Sequence, residues 1–171
     1  MDAVTEGVES AGWELSGLQK TTSEEFRGRW AGESTRSAYL FFHHPDLEES
    51  VSLDGFLDET SRGLHGNLSL VVDGPTLGNL APAPKVLEMA RRASQAHLLE
   101  GYTTPITLRI VLPDEGEPVQ EAEAELRFKL TMPRTAMNAG ASSTSALCSA
   151  AARAFESLLQ GLSREGFWHS E

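Results

Sequence analysis

From residue 121 to residue 132 the chain alternates with period two. Ala122, Ala124, Leu126, Phe128, Leu130 and Met132 fall on one side, and Glu121, Glu123, Glu125, Arg127 and Lys129 on the other. Such alternation over ten or more residues predicts a strand with one buried face and one wet face, the pattern of an antiparallel sheet covered on one side. Residues 105–112 predict a second strand. The segment 113–118, with a proline at each end and Gly116 between them, makes the pair a hairpin.

Shorter patterns fill in the rest. Residues 1–11 are small and polar and are expected to form a frayed tail. Trp13, Leu15 and Gly17 suggest a first strand to Lys20, and Phe26, Gly28 and Trp30 a second. Residues 37–43 read as a third strand, apolar on both faces and therefore interior; strands two and three would pair across the turn at 31–35. Ser52 can cap a short helix with Leu53, Phe56, Leu57, Thr60 and Leu64 on one side, ended by Gly63 or Gly66. A strand over 67–72 follows, then a helix over 84–100 that Pro84 can begin. After a connector at 133–140, Ser142 or Ser143 would cap a last helix. Its inward face is Leu147, Cys148, Ala151, Ala154, Phe155, Leu158 and Leu162, and Gly161 or Gly166 would end it. The expected architecture is one α+β domain over residues 12–166, a largely antiparallel sheet of five to six strands with three helices on one face, and a short tail at 167–171.

Composition narrows the function more by exclusion than by assignment. At 171 residues the chain suits a single core. Its formal charge of −11 disfavours phosphate backbones and anionic lipid, so neither a nucleic acid nor a membrane is an expected partner. One cysteine rules out an internal disulfide and a cysteine-built zinc site. The acidic first ten residues lack the basic and apolar regions of a signal peptide, and no apolar run approaches a membrane helix, so the cytoplasm is the expected compartment.

Five features could carry chemistry. His43, His44 and Asp46, with His65, are ligand types suited to zinc, nickel or iron. Adjacent strand residues point to opposite faces, however, so a shared ion would need the strand already broken. Cys148 could be a nucleophile near a helix start, but its small apolar neighbours make it a core residue. The glycine-bearing segments 73–79 and 140–145 sit where phosphate cradles sit, yet both lack a P-loop or dinucleotide signature. Six acids within 114–125, Asp114, Glu115, Glu117, Glu121, Glu123 and Glu125, form a solvated acidic hairpin, with Arg109 able to pair with Glu123 if the turn centres on Gly116. Finally, Trp13, Trp30, Phe41, Phe42, Phe167 and Trp168 exceed what a minimal core requires, and tryptophan concentrates at interface centres.

With no catalytic constellation, the sequence points to a non-enzymatic interaction module, an adaptor, chaperone-like or regulatory protein without a cofactor. In size, acidity and class it is similar to secretion chaperones that dimerise and hold unfolded partners. The expected partner is another protein offering a basic or apolar segment, with a homodimer as the expected state. The contact would be made by the sheet edge of the long hairpin or by the last helix, with Trp30, Phe167, Trp168, Glu121, Glu123 and Glu125 as candidate interface residues. The alternative is a small-molecule binder or small enzyme with a pocket between the sheet and residues 84–100, using His97, Tyr39, His43 and Arg109 as polar contacts.

Overall fold

The computed structural model describes residues 1–22, 36–47, 49, 51–60, 63–73, 91, 106–111 and 123–164. They form helix α1 (Asp2–Glu9), strands β1 (Glu14–Thr22), β2 (Arg36–His43), β3 (Val51–Thr60), β4 (Gly63–Asp73), β5 (Ile106–Val111) and β6 (Glu123–Met132), the single turn α2 (Arg134–Met137) and the long helix α3 (Ala141–Arg164). The strands make one six-stranded antiparallel sheet in the order β1-β2-β3-β4-β6-β5. This is the expected α+β class.

The long hairpin forms as its alternation dictates. Leu126, Phe128, Leu130 and Met132 are all buried against the helices. Register carries this apolar layer across the sheet: Phe42, Leu53, Leu70, Phe128 and Ile106 stand side by side on five successive strands. Helix α3 lays Cys148, Ala151, Ala152, Phe155, Leu158 and Leu159 onto that layer. Burial of each large side chain contributes about 1.5–3 kcal/mol, so the row and its lid hold the domain together.

Four expectations change. The helix predicted from Ser52 is instead strand β3, hairpinned to β4 with Thr60 opposite Gly63. Leu53, Phe56, Leu57 and Thr60 fit helical spacing, but Val51, Leu53, Gly55 and Leu57 are the buried set, and that is period two. Neither glycine stops a helix. Gly63 takes the positive φ of 100° that the turn needs, and a side chain at Gly66 would collide with the Phe56 carbonyl of the adjacent strand. The supposed frayed tail contains α1, whose Val4 and Val8, four apart on one stripe, are buried. It docks closely because Gly7 lies on α3: a Cβ there would overlap the Ser145 carbonyl and come within 2.9 Å of Cys148 Cβ. The connector 133–140 contains α2, tied to β4 by Asn138, whose amide donates to the Leu64 carbonyl (3.0 Å) and accepts from the Leu64 N–H (3.2 Å). Helix α3 starts at Ala141, ahead of either expected serine cap, and continues through Gly161. The strand expected at 26–30 and the tail at 167–171 lie outside the described residues, as does the helix at 84–100 apart from Arg91, which is helical.

Candidate functional site

Among the described residues, those singled out from sequence do not converge on one point. His43 Nε2 faces Glu14 at 3.3 Å on the exposed side of β2. His44 turns inward: its ring packs edge-on against Trp13 at 5.3 Å, its Nδ1 accepts the Asp46 N–H, and its Nε2 lies 3.6 Å from Glu156 on α3. The same Glu156 oxygen accepts the Trp13 indole N–H at 3.1 Å. The two histidines thus brace different parts of the fold, and among the described residues no three ligands gather around one point. Trp13 is core. Cys148 is buried against Met132, Sγ to Sδ 3.6 Å, and burial pushes its thiol up to about 12, which makes it unreactive packing.

Of the polar contacts envisaged for a pocket against residues 84–100, Tyr39 and His43 lie far from Arg109. Tyr39 and His43 belong to β2 and Arg109 to β5, four strand spacings away, or about 19 Å; His97 lies outside the described residues. Arg109 stands opposite Glu125, not Glu123, whose register partner is Val111. Glu125 accepts the Arg127 Nε–H at 3.2 Å, while Arg127 also reaches Asp54 at 3.2 Å. Burial raises the Asp54 carboxyl above its ordinary value of 3.8, with Arg127 pulling the other way. Trp30, Phe167, Trp168 and Glu121 are outside the described residues. The long hairpin does end the sheet, but its outer strand is β5; β6, which carries Glu123 and Glu125, lies between β4 and β5.

What the structure does bring together lies at the opposite end of the sheet. Among the described residues, the large apolar side chains that remain exposed are Met1, Leu15, Leu18, Tyr39 and Phe41, and all belong to β1, β2 or the start of α1. Among the described residues, strand β1 is one of the two outer strands of the sheet and pairs with β2 alone. Its register slips between Leu15 and Gly17, a bulge that puts Leu15 beside Phe42 and Leu18 beside Leu40, both on the helix-covered face. Leu15 is nevertheless 37% exposed and Leu18 45%. Gly17 and Gln19 fall on the other face, next to Phe41 and Tyr39, where Tyr39 packs on Phe56 with centroids 5.0 Å apart. Exposed apolar side chains therefore stand on both faces of the β1–β2 pair, from β1 on the covered face and from β2 on the other.

Between β1 and α1 opens a cleft of about 550 Å³. Leu15, Leu18 and Leu40 line its apolar side, and Asp2, Glu6 and Glu9 line the α1 side. Offsets of four and three place those acids on one helical stripe, next to the stripe that Val4 and Val8 bury. Sequence reasoning missed this site because it treated residues 1–11 as a tail. The signals were the i, i+4 valines and the three-residue step from Leu15 to Leu18 around Gly17, which breaks strict alternation.

The last helix, the other expected contact surface, already covers the sheet with its apolar face. Among the described residues no helix is long and apolar enough to cross a membrane. The chain matches no known protein family, no curated protein and no solved structure.

Proposed function

We propose that this protein is an interaction module that docks an extended segment of a partner protein along β1. The observation that carries the reading is the gathering of exposed large apolar side chains around one outer strand. Among the described residues no strand pairs with the outer side of the nine-residue β1, which leaves its outward row of N–H and C=O groups without a strand partner there. Left open beside apolar side chains, such a row is an aggregation hazard that proteins normally blunt. Adding a partner strand satisfies those groups, while side-chain pockets on either face give selectivity. Here Leu15 and Leu18 with the α1 cleft would read one side of the added strand, and Tyr39 and Phe41 the other.

The test is an unbiased selection of displayed peptides, with binding mapped by amide chemical shifts. The reading expects binders whose shifts cluster on β1 and α1. A Gln19→Pro variant, with one strand N–H removed and the outer strand distorted, should lose them while α3 keeps its native spectrum. Binders that map to α3 or to the far end of the sheet would refute it. Light scattering on the free protein gives the copy number; a dimer whose β1 amides are already shielded would make a second copy the natural occupant.

A further inference from the structure

We infer that the segment taken up by β1 is basic: an extended stretch in which side chains pointing towards α1 include lysine or arginine as well as apolar residues. This rests on the docking reading above and specifies its partner. A strand added outside β1 lies about 4.8 Å from it, and every second side chain falls on the helix-covered face. On that face stand an apolar floor, Leu15 and Leu18, and a wall carrying Asp2, Glu6 and Glu9. Among the described residues no lysine, arginine or histidine lines the cleft, although Met1 with its amino terminus does. Lys20, in register with the buried Ala38, stands on the same covered face two residues beyond Leu18 and outside the cleft lining, so the basic side chains of the segment are expected at the Leu15–Leu18 end of β1.

The three carboxylates span about 10 Å of helix, from seven residues at 1.5 Å each. Alternate residues of a strand are about 7 Å apart, so two basic side chains can reach the wall while a third residue contacts the leucines. Charge beyond about 8 Å is screened at physiological salt, so this local wall, rather than the overall charge of −11, sets the preference. Pairing β1 with β1 of a second copy would bring a second acidic wall towards the first, which favours a basic partner over self-association.

The test uses two capped ten-residue peptides, one alternating valine with lysine and one alternating valine with glutamate. The inference expects the lysine peptide to bind with shifts on β1 and α1 and the glutamate peptide not to bind. It further expects Glu6→Lys/Glu9→Lys to weaken binding by about tenfold or more, and the remote reversal Glu49→Lys/Glu59→Lys to change it by less than about twofold at physiological salt. Glu6, Glu9, Glu49 and Glu59 are all exposed, so both pairs preserve the buried valines of α1 and the sheet core. Equal binding of both peptides on β1 would overturn the charge preference and leave edge docking intact. Equal weakening by the remote pair would overturn it in favour of bulk charge. Binding of neither peptide would overturn it too, and the peptide selection then decides edge docking separately.

Discussion

Strands β6 and β1 are written in similar alternating codes and end in opposite situations. In β6 the apolar residues Leu126, Phe128, Leu130 and Met132 are at most 1% exposed; β4 pairs with the strand over residues 125–132 and β5 over 123–128. In β1, Leu15 and Leu18 face the same covered side of the sheet but remain 37% and 45% exposed, and the outer backbone edge has no strand beside it among the described residues. Alternation therefore tells which face of a strand is apolar, not whether anything covers it. Coverage is decided by which strand lies outermost and by how far α1 and α3 extend over it.

The contrast can be broken by substitution. The largest effect is expected for Phe128→Ala, about 3–5 kcal/mol in urea unfolding, because the cavity opens in the middle of the five-strand row. Leu18→Ala should change stability by less than about 1 kcal/mol; a loss equal to that of Phe128→Ala would mean β1 is as closed as β6. Gly7→Ala should destabilise by about 1–3 kcal/mol through overpacking against the Ser145 carbonyl. Its signature is faster amide exchange in α1 than in β6, together with weaker peptide binding at the cleft that α1 walls.

A comparable cost, about 1–3 kcal/mol, is expected for Glu156→Ala, which leaves the buried Trp13 indole N–H without its acceptor. Glu156→Gln keeps an acceptor oxygen and should recover most of the loss in the same unfolding titration. The smallest effect belongs to Asp54. Its carboxyl is raised in the folded chain by burial, so folding favours the protonated form. That contribution is fully present below the unfolded pKa and is lost as pH rises through the folded one. Asp54→Asn lacks the loss and should gain stability relative to wild type as pH increases from about 3 to 6. An opposite trend in paired unfolding curves would show that Arg127 outweighs burial at this site.

The β5–β6 hairpin was legible because its pattern is long and its wet face is strongly charged. Helix α3 was legible through Cys148, Ala151, Phe155 and Leu158, although its start, set by Gly140 at φ 124°, was not. Strand β3 was misread because Leu53, Phe56 and Leu57 satisfy two periods at once; only the partners Leu40 and Leu68, which flank Gly55 in register, settle it. Helix α1 was missed for a related reason: two valines and a glycine form a docking surface only once Ser145, Cys148 and Ser149, far along the chain, are placed beside them. The candidate site inherits that blindness. Its acids lie on α1, its leucines on β1 and β2, and no local pattern announces that they share a cleft.

The central claim, that β1 is an open strand edge awaiting a partner, is tested most directly by residue-resolved amide exchange on the free protein, with its mass measured under the same conditions. The account predicts a monomer in which the β1 amides pointing away from β2 exchange rapidly, those bonded to β2 are protected, and β6 is protected over residues 125–128, where β4 and β5 both pair with it. Uniform protection along β1 in a monomer would contradict it, because the edge would then already be covered by the chain itself.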